Sequence, residues 1–143
     1  MIKLQENDRK NWNPDLAYGR SKTANILTAL HLARQNIQSF SLHPGFILTN
    51  MHAKIPREVL QAKGFYDADW NVTVPLKSLS QGAATIVFAA LDDGLIAKNG
   101  AYLMDCAVVE GEGALVSEVA KSMEEAETLW KVSEELIGEE FAL

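Results

Sequence analysis

Tyr18 and Lys22 stand four residues apart in the run Tyr18-Gly19-Arg20-Ser21-Lys22. On a helix that spacing places both side chains on one face, about one turn apart. A phenol ionises near pH 10 and is a poor base in neutral water; a neighbouring ammonium favours its anion. Bringing a phenol to about pH 7 takes roughly three pH units, or about 4 kcal/mol. An exposed helical ion pair supplies only about 0.3–0.5 kcal/mol. The pair therefore does acid/base work only in a drier pocket with further positive charge nearby. On an open surface the same two residues are a coincidence of spacing.

The other reactive side chains read more plainly. His31 lies within a helical pattern and is a packing or surface residue. His43 ends a strand, either bonded to backbone or lining a pocket, and His52 falls on a loop. None of these has metal-ligand spacing with an acidic partner or with Cys106, so no metal is expected. Ser21 and Lys22 are adjacent and point in different directions, which excludes a nucleophile dyad. Cys106 reads as a small apolar strand residue. Gly111-Glu112-Gly113 is the only G-x-G and reads as loop.

A helix from Pro14 to about Gln35 must carry the pair. Asn13 suits its cap, Pro14 its first position and Asp15 the positive end of its dipole. Ile37–His43 reads as a strand stopped by Pro44-Gly45. Residues 46–78 have no steady period and read as a long loop with one or two helical turns; loops of that length are usually functional. Ser80–Leu91 reads as a helix capped by Ser80, Gly100–Cys106 as a second strand, and Glu110–Gly113 as a turn. A last helix starts near Ser117 or Ser122 and ends at Gly138. The order helix, strand, loop, helix, strand, helix is α/β, with the two strands parallel.

The 143 residues suit one domain. A formal charge of −6 gives no general attraction for phosphate backbones, so nucleic acid is not an expected partner. The longest strongly apolar run, Ala83–Leu91, is far short of the roughly 20 residues a membrane span needs. One cysteine excludes an intrachain disulfide. The polar first ten residues have no signal-peptide character, and a soluble, cytoplasmic protein is expected.

Taken in order, the motifs resemble the short-chain dehydrogenase/reductase family, within it the members like retinol dehydrogenases and the WW-domain oxidoreductase. Tyr18-x-x-x-Lys22 precedes a strand ending in His43-Pro44-Gly45-Phe46-Ile47-Leu48-Thr49. Gln81-Gly82-Ala83-Ala84, Gly100-Ala101-Tyr102-Leu103 and Ala126-Glu127-Thr128-Leu129-Trp130 follow. The resemblance implies the C-terminal part of a Rossmann-like, doubly wound parallel sheet, as one partial domain over 1–143. It implies alcohol/carbonyl interconversion by hydride transfer with NADP or NAD. Tyr18 would exchange the proton at the substrate oxygen. Lys22 would favour its phenolate and bond the nicotinamide ribose, and an oxidised nicotinamide ring would add positive charge. Pro44, Gly45, Ile47 and Thr49 would touch the nicotinamide side. The 46–78 loop would be a substrate lid, with Met51, Phe65, Tyr66 and Trp70 facing a small apolar alcohol or ketone.

The sequence departs from that family upstream of Tyr18. It has no Gly-rich phosphate turn there, and residues 1–17 contain no serine to match the family's catalytic Ser. The expectation is a chain lacking the dinucleotide-binding half: a fragment, an expressed remnant without catalysis, or a half that needs a partner. A non-catalytic binding protein, self-associating or docking on a full-length relative, is the alternative.

Overall fold

The computed structural model describes residues 12–50, 54–110 and 116–142. Met51, His52, the polar first ten residues and the Gly111-Glu112-Gly113 turn lie outside the described residues.

Helix α1 spans Pro14–Arg34. The Asn13 side chain accepts from the Asp15 and Leu16 amides at 3.0 and 3.1 Å, which satisfies two of the free donors at the helix start. Strand β1 is Ser41–His43, and the short helix α2 is Arg57–Ala62. Helix α3, Leu79–Leu91, is capped by Ser78 rather than Ser80. The Ser78 hydroxyl accepts from the Gln81 amide, and the Gln81 side chain accepts from the Ser78 amide. That reciprocal box needs a Gln three residues after its Ser, and Ser80 has none. Strands β2 (Tyr102–Met104) and β3 (Ala107–Val108) follow a 3₁₀ turn at Asp93–Lys98. Helix α4, Met123–Ile137, starts at the Ser122 cap and stops at Gly138, whose φ is +76°.

The three strands form one small, open sheet in the order β1-β2-β3. β1 and β2 are parallel, with Ser41, Leu42 and His43 opposite Tyr102, Leu103 and Met104. The α/β class stands, but the sheet is mixed: β3 pairs antiparallel with β2. The reason lies in Asp105 and Cys106, both with φ near +55°. Two successive left-handed residues make the tight turn that folds a strand back on itself. Cys106 is therefore an exposed turn residue and not a buried strand residue. Its amide donates to Thr85 Oγ1 at 3.2 Å, and Thr85 is fully buried.

Leu27 of α1 and Leu103 of β2 are fully enclosed, with Ala126 of α4 close to it. Helices α1 and α4 pack together. His31 is buried between them and stacks on Trp130, with ring centres 4.5 Å apart and planes 11° from parallel. Asn99 ties the far end of α1 to the sheet. Its amide donates to the Ala33 and Ile37 carbonyls at 3.2 Å each, and its oxygen accepts from the Ser39 amide at 2.8 Å. Among the described residues, no helix is long and apolar enough to cross a membrane.

Candidate active site

Topology brings the two motif groups to one end of the molecule. α1 joins the start of β1 through a short connection, so the first turns of α1 lie beside the carboxyl end of β1. From Tyr18 to Arg34 the helix climbs roughly 24 Å at 1.5 Å per residue. From Ile37 to His43 the chain returns at most about 20 Å. The Tyr18 end of α1 thus lies toward the carboxyl end of β1, the sheet end where open α/β folds bind ligands.

Tyr18 and Lys22 share a face of α1. The Lys22 ammonium lies 5.4 Å from the centre of the Tyr18 ring. Tyr18 is 61% exposed. At separations of this order, the attraction between an ammonium and a phenolate in water is under about 1 kcal/mol; an effective dielectric constant near 20 raises it about fourfold. The two side chains lie together on an exposed face, and acid/base work would need a dry cover closing over them. Ser21 donates to the Tyr18 carbonyl at 2.7 Å, so its hydroxyl is turned back on the helix.

Pro44 and Gly45 form the corner after β1. Gly45 has φ +87°. Its amide donates to His43 Nδ1 at 3.0 Å, so His43 is bonded to backbone through that nitrogen. The side of Gly45 where a Cβ would stand is filled by the Lys77 stem, 2.5 Å away at Cδ. Ile47 turns onto α3. A Cβ on Gly82 would lie 2.0 Å from its Cδ1, so the absent side chain of Gly82 is the seat for Ile47. Thr49 lies on the exposed run that follows.

The loop from 46 to 78 has a core of its own. Leu48, Leu60, Phe65, Tyr66, Val72 and Leu76 line one apolar cluster, in which Leu60 is buried and Leu48, Val72 and Leu76 reach the surface. Phe65 meets Phe46 edge to face at 5.7 Å. The Arg57 guanidinium lies 4.7 Å from the Trp70 ring centre and 5.8 Å from that of Tyr66. Phe65, Tyr66 and Trp70 are therefore brought together by the packing of the loop itself. Two ties hold this unit to the site end. Lys63, just after α2, pairs with Asp15 in the first turn of α1, one turn before Tyr18. Phe46 bridges to Leu76, and its carbonyl accepts from the Lys77 amide at 2.7 Å.

The sequence reading named Gly82 only within the Gln81-Gly82-Ala83-Ala84 motif and did not single out Lys77 or the Asp15–Lys63 pair. A glycine inside an apolar helix is itself a sign of close approach, and Gly82 carried that signal. Nothing in the local sequence marks an ion pair between residues 48 apart.

The fold is α/β, with a Tyr-Lys pair on its first helix and a Pro-Gly corner after its first parallel strand. By comparison with known proteins, the chain belongs to the short-chain dehydrogenase/reductase family. It is 33% identical over 135 residues to retinol dehydrogenase 12 of Mus musculus, covering 91% of this chain and 39% of that protein. It is 34% identical over 139 residues to the short-chain dehydrogenase TIC 32 B of Brassica napus, covering 92% of this chain and 39% of that one. A similar match, 33% over 129 residues, covers 87% of this chain and 29% of the WW domain-containing oxidoreductase of Drosophila melanogaster. The chain thus spans well under half the length of these relatives. No family model matches it.

Proposed function

We propose that this chain is the Tyr-Lys portion of an NAD(P)-dependent oxidoreductase that interconverts a small apolar alcohol and its ketone or aldehyde. The observation that carries the reading is the Lys22 ammonium 5.4 Å from the Tyr18 ring on the helix that precedes β1 and its Pro44-Gly45 corner. The nicotinamide cofactor supplies or accepts the hydride when bound. The residues present suit its nicotinamide end: Lys22 is an exposed ammonium for ribose hydroxyls, and Pro44, Gly45, Ile47 and Thr49 follow the carboxyl end of β1. Tyr18 gives its proton to the carbonyl oxygen in reduction and takes it from the hydroxyl in oxidation. Lys22 stabilises the phenolate that forms. The 46–78 loop, which carries Phe65, Tyr66 and Trp70, acts in this reading as a lid that excludes water over the pair. Positioned proton transfer of this kind contributes about 10²–10⁴-fold. Tyr18→Phe is expected to lower nicotinamide-linked turnover of an apolar alcohol by at least that range, with cofactor binding kept; turnover equal to the parent chain excludes the assignment.

A second reading rests on the open edge of the molecule. Among the described residues β1 is paired on one side only, and Leu79, Ile86, Val87 and Leu91 of α3 are exposed. An unpaired edge and bare apolar helix positions favour association. In this reading the chain is a non-catalytic binding protein that associates with itself or docks on a full-length relative. Light scattering on the mixture discriminates: a hetero-complex without any nicotinamide fluorescence change supports it, and a strict monomer in the mixture refutes it.

A further inference from the structure

We propose that Lys77 is an anion-binding residue of the crevice, contacting a phosphate on the nicotinamide side of the cofactor, with Asp105 as the group that holds it in place. The inference rests on the nicotinamide reading above.

Three features place the ammonium. First, the backbone of Lys77 is fixed, because its amide donates to the Phe46 carbonyl at 2.7 Å, just past the Pro44-Gly45 corner. Second, its stem lies flat on Gly45. Lys77 Cδ, Cε and Nζ stand 2.5, 2.7 and 3.1 Å from where a Gly45 Cβ would be, so only glycine lets the side chain cross there. Third, its ammonium pairs with Asp105, the residue directly after β2. The side chain therefore runs from the end of β1 to the end of β2, over the carboxyl ends of both parallel strands.

Ligands of open α/β sheets sit at that end. A cation pinned there, on a chain of formal charge −6, offers the one chemistry a phosphate needs. Lys77 is also the least exposed of the ion-paired lysines among the described residues. Its side chain is 23% accessible, against 41%, 50% and 43% for Lys63, Lys98 and Lys121. Its partner carboxylate is 60% accessible and sits on the left-handed Asp105-Cys106 turn. A pair this open on one side is weak, and a pyrophosphate bridge, with one negative charge on each of its two phosphates, competes well with a single carboxylate. Asp105 thus keeps the ammonium over the strand ends without committing it.

The test is calorimetric titration of the full chain with nicotinamide mononucleotide and with nicotinamide riboside, which differ by the phosphate alone. The parent chain is expected to bind the mononucleotide at least tenfold more tightly. Lys77→Met keeps the apolar stem on Gly45 and should abolish that preference. Lys77→Arg should retain it. Asp105→Asn removes the competing charge and should tighten mononucleotide binding several-fold, which reads the same role in a chain that keeps Lys77. Equal binding of the two compounds by the parent chain, or a preference that survives Lys77→Met, overturns the role of Lys77 and leaves the nicotinamide reading intact. Binding of neither compound overturns both.

Discussion

Gly82 shows how much one missing carbon can decide. Alanine is usually the better helix residue by about 1 kcal/mol. Here its Cβ would stand 2.0 Å from Ile47 Cδ1 and 3.0 Å from Cγ1. Overpacking of that kind typically costs about 1–3 kcal/mol, which outweighs the propensity gain. Gly82→Ala is therefore expected to lower the urea midpoint, and Ile47→Val, which removes the clashing methyl, to restore most of it in the double variant. A stabilised Gly82→Ala chain would show that Ile47 does not sit on α3. The same packing bears on function, since Ile47 directly follows the Pro-Gly corner and Phe46. Its side chain anchors that corner to α3, so any contact with a nicotinamide would be made by its backbone.

The 46–78 loop carries its own folding logic. Its tightest turn is built by Asp67, whose carboxylate accepts from the Asp69 amide and from both the amide and side chain of Asn71 at 2.8–3.0 Å. The side-chain bond from Asn71, then its backbone N–H, holds this carboxyl below its ordinary range. A folded value lower than the unfolded one means that the unfolded loop binds the proton more readily. The turn is thus fully supported above the ordinary carboxylate value of about 4 and loses that support as pH falls through the lower, folded value. Acidification should shift the Asn71 and Asp69 amide resonances over that window, and Asp67→Asn should remove the transition. Amide shifts that persist unchanged in Asp67→Asn would place the titrating group elsewhere. Because the loop packs on its own apolar cluster, loss of this turn is expected to leave α1 and the sheet in place.

Leu103 stands at the centre of the molecule, fully enclosed on the middle strand. Three short strands offer little apolar area, so each enclosed side chain counts for more than it would in a wide sheet. Leu103→Ala is expected to cost about 2–5 kcal/mol by lost burial and the cavity it leaves. That is comparable with the whole stability of a small domain. Loss of a cooperative thermal transition would be the expected reading; a variant with an unchanged midpoint would mean that the core lies elsewhere. Association acts at the same scale. The exposed α3 positions and the single-sided β1 leave apolar surface that a second chain would cover, and the midpoint should then rise with protein concentration.

Local signals carried the elements whose chemistry lies within a few residues. Asn13-Pro14-Asp15 set the start of α1, Gly138 the end of α4, and the four-residue spacing put Tyr18 and Lys22 on one face, because helix geometry is the same in every protein. The α/β class followed from the order of elements, and the family from the order of motifs. What tertiary structure decided are the matters that depend on residues far apart in the chain. These are the seat of Ile47 on Gly82, the span of Lys77 from Gly45 to Asp105, the tie of Lys63 to Asp15, and the backward turn that adds β3. Each depends on where two distant backbones come to rest, and the free energy that sets this is shared across the whole core rather than held in any local run of residues.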